Sequence, residues 1–229
     1  MSKIQCSRHE GADEQDMSTV PGKAHYGLPY IAKDRVYSFA HQIETVVRVG
    51  PRSLVEIGPG AGVVTAGLRA VGLQVTTVDV QSELGPDVVA KLPDLPFESG
   101  AFDAVLCCQV LEHLPFQQFV PSLSELKRVS TKGVILSLPD RRKYYSVRFR
   151  ASGVGKREWS FSRGRPPTEA RVKRAFDEAG HYWEIGYRDV PLSAILNAFR
   201  EAGLSLARRW RVFEKPYHHF FQLEHQTET

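Results

Sequence analysis

Val55-Glu-Ile-Gly-Pro-Gly-Ala-Gly-Val63 is a glycine-rich turn between a short apolar run, Ser53–Ile57, and a helical run reaching about Val71. A strand feeding such a turn and then a helix lets a ligand approach bare backbone at the strand's carboxyl end. A dinucleotide would want Gly-x-Gly-x-x-Gly, with its pyrophosphate on the helix N-terminus. Here the third glycine is Gly62, and position 63 is valine. Glu56 stands just before the turn, where a carboxylate repels pyrophosphate and suits a cation bearing an ammonium and a sulfonium.

The pattern extends outward in both directions. Upstream, Val36, Ala40, Ile43 and Val47 make a helical stripe within 32–49, which Gly50 and Pro51 end. Downstream, Gln74–Val80 reads as a β-branched strand and Asp87–Ala90 as a weaker one. Phe102–Cys108 is a fourth strand, Phe116–Ser130 a helix and Gly133–Leu138 a fifth strand. Strands alternating with helices imply crossover units and a parallel sheet covered on both faces. Pro191–Ala202 is then a helix, and Leu204–Phe213 with Tyr217–Glu224 reads as an antiparallel hairpin. The expected fold is α/β, Rossmann-like: a seven-stranded, mostly parallel sheet with a C-terminal antiparallel hairpin and a cap insert at about 139–189.

Composition bounds the rest. With 229 residues, 42% hydrophobic and 24% charged, the chain suits one globular domain and excludes a collagen-like or wholly disordered one. No apolar run approaches the roughly 20 residues of a membrane-spanning helix. Met1–Met17 is polar, without the apolar core of a signal peptide, and the three cysteines make no disulfide framework, so a reducing, cytoplasmic setting is expected. Residues 1–31 lack periodicity and read as a mobile segment or a lid. Net charge is +4, yet residues 141–174 hold 12 Lys/Arg against Glu158 and Glu169, a local +10 that leaves the remainder at −6. Such a segment is either a solvated loop or a surface for an anionic partner.

Glu56-Ile-Gly-Pro-Gly-Ala-Gly62, Thr77-Val-Asp79, Leu95-Pro-Phe97 with Phe102-Asp103, and Val110-Leu-Glu-His-Leu-Pro115 occur in order. Together they resemble the class I S-adenosylmethionine-dependent methyltransferases, and within them the type 11 methyltransferase-domain group. The likeness covers about Leu54–Leu138 and makes 32–229 a single methyltransferase domain with S-adenosylmethionine as cofactor. It implies that Gly58 and Gly60 lie against the cofactor, Glu56 near its ammonium, and Asp79, followed by Val80, at the ribose hydroxyls. It also implies that the Leu92 amide faces the adenine and that Gln109 runs along the methionine. The position before Leu92, commonly an acid in similar sequences, is Lys91, leaving the adenine to Asp94 or to backbone and apolar contacts.

No residues announce a catalytic device. His113, after the fourth strand, is a candidate base or a structural residue. His181 and Glu184, three apart, would share a face if they make a helical turn, and a carboxylate beside the imidazole would help it hold a proton. His218 is a further candidate, although His219 must face away from it in a strand. The histidines after the insert lack metal-ligand spacing, so no metal is expected. The expected activity is methyl transfer to an oxygen or nitrogen of a small-molecule acceptor, anionic or aromatic. An RNA or other macromolecule methyltransferase using the basic insert, with its interleaved Tyr144, Tyr145, Phe149, Trp159 and Phe161, is one alternative. A non-catalytic binding protein on the same fold is the other.

Overall fold

The computed structural model describes residues 21–153, 155–162 and 167–226. Helix α1 (Lys33–Val49) ends where Gly50 turns left-handed and donates to the Val46 carbonyl at 3.0 Å. Strand β1 (Ser53–Ile57), helix α2 (Val63–Ala70), strand β2 (Gln74–Asp79) and the two-residue β3 (Val88–Val89) follow. Then come β4 (Phe102–Cys108), α3 (Phe119–Val129) and β5 (Ser130–Pro139). A 3-10 turn, Phe116–Gln118, occupies the first residues of the expected Phe116–Ser130 helix, and β5 begins at Ser130, three residues before the expected Gly133.

The insert is an antiparallel ribbon, β6 (Tyr144–Ala151) with β7 (Gly155–Ser162), followed by helix α4 (Glu169–Ala179). Helix α5 (Leu192–Glu201) and strands β8 (Leu204–Arg211) and β9 (His218–His225) end the fold. Seven strands form one sheet in the order β3-β2-β1-β4-β5-β9-β8, and only β9 opposes its neighbours. The expected hairpin is present, with its second strand entering the sheet beside β5.

The central strands are buried on both faces, as parallel strands between helical layers must be. Val105 and Cys107 of β4 point to one layer, with Phe119, Leu123 and Phe199 from α3 and α5. Ala104 and Leu106 point to the other, with Val46, Val64 and Leu68 from α1 and α2. The period-two alternation sends Cys107 and Cys108 to opposite layers.

The ribbon is separate from the main sheet. One of its faces turns inward: Arg148 stacks over Phe213 at 3.8 Å and pairs with Glu158 and Glu214 at 2.6 Å each. The other face leaves Tyr145, Val147, Phe149, Trp159 and Phe161 exposed. After α4 the chain returns across the sheet's carboxyl edge. There the Tyr182 amide donates to Glu112 at 2.8 Å, the Trp183 indole to Leu114 at 3.0 Å and the Ile185 amide to Pro139 at 2.9 Å. No helix among the described residues is long and apolar enough to cross a membrane.

Candidate active site

A cavity opens at the carboxyl ends of β1, β2 and β4, where open α/β sheets take their ligands. Gly58, with φ +68°, borders it, and a β-carbon there would come 2.5 Å from Val110 Cγ2. Gly60, with φ +54°, lies under the Tyr26 ring, 2.8 Å from where its β-carbon would be. Both positions therefore need glycine for conformation and for space.

Asp79, the last residue of β2, faces the cavity with Val80 beyond it. Burial raises its carboxyl above the ordinary value, and the amides of Gln81 and Val80 work against that rise. Its Oδ1 accepts the Gln81 amide at 2.9 Å. Leu92 and Lys91 form the opposite wall. Asp94 is not among the lining residues; its amide donates to the Lys91 carbonyl at 3.0 Å. Gln109 also lines the cavity, with φ +57°, rare for a residue carrying a side chain. Its backbone amide donates to Ser137 at 2.9 Å and its side-chain amide to the Ser137 hydroxyl at 3.2 Å, which hold this conformation in place.

Glu56 sits behind the glycine turn, so any effect on a ligand's ammonium would pass through the loop or water. It does not line the cavity; its carboxylate accepts the Thr65 hydroxyl inside the β1–α2 layer, and burial pushes its pKa up to about 7.

The candidate bases separate into two places. His113 lines the cavity, its Nδ1 donating to the Gly180 carbonyl at 3.3 Å, and burial lowers its pKa to about 3. His181 packs against it edge to face, ring centroids 4.9 Å apart. The expected His181–Glu184 contact is made at 3.0 Å, by a bend rather than the expected helical turn. Glu184 is fully buried and accepts two bonds from Arg141, at 2.5 and 2.7 Å, and one from Tyr217 at 2.7 Å. Burial pushes its carboxyl upward, but His181, Arg141 and Tyr217 outweigh that and hold it ionised. His218 bonds elsewhere: it meets Ser38 of α1 at 2.8 Å, and burial lowers its pKa to about 3. His219 bonds Asp140 at 2.9 Å instead, as strand alternation requires.

Residues 55–138 match the family model described as a methyltransferase domain. This segment is a methyltransferase domain. The chain is 26% identical over 147 residues to the chloroplastic magnesium protoporphyrin IX methyltransferase of Arabidopsis thaliana, covering 58% of this chain and 46% of that protein. It thus spans about half the length of that curated relative. Among solved structures, the 1,6-didemethyltoxoflavin N1-methyltransferase of Burkholderia thailandensis aligns with a TM-score of 0.59 at 14% identity, over 90% of this chain and 85% of its own. The magnesium protoporphyrin IX methyltransferase of Synechocystis PCC 6803 aligns with a TM-score of 0.56 at 18% identity, over 89% and 92%. Both were solved with S-adenosylhomocysteine bound. At these identities the structural likeness speaks for fold.

Several residues around the methyltransferase domain's cavity escape a motif-based reading. Tyr26 and Pro21 line it from the N-terminal segment, and Tyr30 sits against Tyr26 with ring centroids 5.0 Å apart. Arg35 of α1 caps Tyr30 at 3.9 Å. The paired tyrosines beside prolines and glycines were the available signal. Glu112, buried behind His113, has no hydrogen-bond partner among the described residues on either carboxylate oxygen.

Proposed function

We propose that this chain binds S-adenosylmethionine in the cavity above β1, β2 and β4 and transfers its methyl group to an oxygen or nitrogen of a small molecule. The observation that carries the reading is Asp79 at the end of β2, facing the same cavity as the bare backbone of Gly58. This donor set suits the cofactor: a two-oxygen acceptor for vicinal hydroxyls, backbone for close approach, and no phosphate-binding glycine at position 63. When bound, the cofactor supplies an already activated methyl carbon.

The chain's own residues would then bind and position. Asp79 accepts the ribose hydroxyls, Leu92 and the neighbouring backbone hold the adenine, and Gln109 lies along the amino-acid portion. Tyr26 closes the cavity over the glycine turn. His113 marks the acceptor end, with its Nδ1 fixed by Gly180 and His181–Glu184 behind it. Positioning an acceptor lone pair in line with the methyl carbon supplies much of the catalysis.

The small-molecule reading gains support from the fate of the basic insert. Arg141, Arg142, Arg148 and Arg174 are engaged with Glu184, Asp140, Glu158 with Glu214, and Glu178 respectively. None of the described ribbon residues lines the cavity. The exposed aromatic face, with Trp159 and Phe161, is the feature that keeps a macromolecular acceptor as the second reading. Calorimetry with S-adenosylmethionine and S-adenosylhomocysteine tests the cofactor. A labelled-methyl screen across metabolite extracts and RNA tests the acceptor. Saturable cofactor binding with label in the metabolite fraction is the expected result, and absence of cofactor binding overturns the reading.

A further inference from the structure

Glu112, His113 and His181 each present a ligand atom, and these atoms lie within 4.8 Å of one another. Glu112 is fully buried, and among the described residues neither of its carboxylate oxygens has a hydrogen-bond partner. A buried carboxylate without a partner is costly and calls for a compensating group. The two imidazoles are held in matching fashion. A carbonyl and an ionised carboxylate can only accept, so His113 Nδ1–H donates to the Gly180 carbonyl and His181 Nδ1–H to Glu184. In the neutral form that binds a metal, each ring then offers Nε2 as the atom with the lone pair.

We propose that Glu112, His113 and His181 form a binding site for one divalent first-row transition ion of the Zn²⁺ class, beside the acceptor end of the cavity. Two imidazoles and one carboxylate are a donor set for such ions rather than for Mg²⁺ or Ca²⁺. The supporting shell is the one metal-binding histidines use, a carboxylate or carbonyl on the far nitrogen that fixes the tautomer and orients the ring. Arg141 and Tyr217 in turn fix Glu184. Bonds of about 2.0–2.1 Å put ligand atoms roughly 3.3 Å apart, so the three side chains need draw together by no more than about 1.5 Å on binding. Spacing in sequence hides this site: Glu112-His113 follows β4, while His181 arrives only after the ribbon and α4.

Three protein ligands leave a position for an oxygen or nitrogen of the acceptor. That role, unlike the ion site itself, rests on the methyl-transfer reading. An ion there would favour the deprotonated acceptor.

The test uses the full, untagged chain stripped with a chelator. Co²⁺ titration followed by its visible absorption, and Zn²⁺ titration by calorimetry, should each give one saturable ion per chain, with Zn²⁺ displacing Co²⁺. Glu112→Gln and His181→Ala should each weaken binding at least tenfold, as direct ligand losses. Glu184→Gln should weaken it roughly tenfold through His181. His41→Ala, on the face of α1 that meets Trp210 and Phe220, should leave it unchanged. Circular dichroism and melting establish that each variant is folded, and the near-isosteric Glu112→Gln keeps the test decisive if His181→Ala is not. No saturable site up to about 100 µM ion, a range that covers any working affinity, overturns the proposal, as does binding that Glu112→Gln leaves intact. S-adenosylhomocysteine binding to the metal-free chain is measured separately. A chain that binds this compound and no ion loses only the metal site, and one that binds an ion and not this compound loses only the methyl-transfer reading.

Discussion

Asp79 and Glu56 are acids near the carboxyl ends of neighbouring strands, yet their surroundings give them different work. Asp79 faces the cavity, with one oxygen engaged by the Gln81 amide. Glu56 is turned into the β1–α2 layer and held by Thr65. The first prediction follows: Asp79→Ala should weaken S-adenosylmethionine binding by about 1.5–3 kcal/mol, the loss of a charge-assisted acceptor, or roughly 10- to 150-fold in Kd. The variant should remain folded, with any fall in melting temperature limited to the loss of the bond from the Gln81 amide. Calorimetry giving an unchanged Kd would remove Asp79 from the site. At this scale the sequence was informative wherever a residue follows a strand end at fixed spacing, as Asp79, Leu92 and Gln109 do. It was uninformative for Glu56, whose direction depends on Thr65 one turn into the next helix. Tyr26 was invisible for a related reason, since only the folded N-terminal segment brings it over Gly60.

Elements differ in how much of their pairing a local pattern dictates. The run Phe102–Cys108 is apolar throughout and could only be a doubly covered strand, whereas the position of β9 beside β5 depends on contacts distant in sequence. Gly133 shows how tight that junction is: with φ +145°, a β-carbon there would collide with the Leu223 carbonyl of β9. Gly133→Ala should therefore cost roughly 3 kcal/mol or more, combining strain with a disrupted strand pair. A denaturation midpoint within error of wild type would show that the two strands separate freely. The ribbon is the opposite case. Arg148 ties it to the body through Glu214 and Phe213, and such solvent-screened ion pairs contribute little to stability. Glu214→Ala should accelerate tryptic cleavage within 141–174 several-fold, while the melting temperature moves by less than about 2 °C. Cleavage at the wild-type rate would mean that Phe213 alone suffices to hold the ribbon. The sequence marked this insert by its charge but not its form, because its strands carry aromatics on the exposed face, opposite to the usual burial pattern.

Across the whole molecule, the parallel order and the cavity at the switch between β1 and β4 follow from alternation of strands and helices, which is why they were legible. The buried ionisable groups were not, because each depends on neighbours from several elements, and they set how stability responds to pH. His218 is held neutral by burial, with a folded pKa of about 3 against an unfolded 6.5. Between those values the unfolded chain binds more protons, so this group lowers stability as pH falls. Glu56 has a folded pKa of about 7 against an unfolded 4.5. Between those values the folded chain binds more protons, so this group lowers stability as pH rises. From pH 4.5 to 6.5 the two oppose, each by up to about 1.4 kcal/mol per pH unit. Replacing either with a non-titrating relative should unmask the other. Relative to wild type, His218→Gln should gain stability progressively as pH falls from 6.5 towards 4.5, and Glu56→Gln should gain as pH rises from 4.5 to 7. Each variant also carries a pH-independent offset from its altered bond to Ser38 or Thr65. The measurement is therefore the slope of the difference in urea midpoints against pH, not its sign at one pH. Two slopes of the same sign, or two flat lines, would mean that water reaches these side chains and that burial does not govern their protonation.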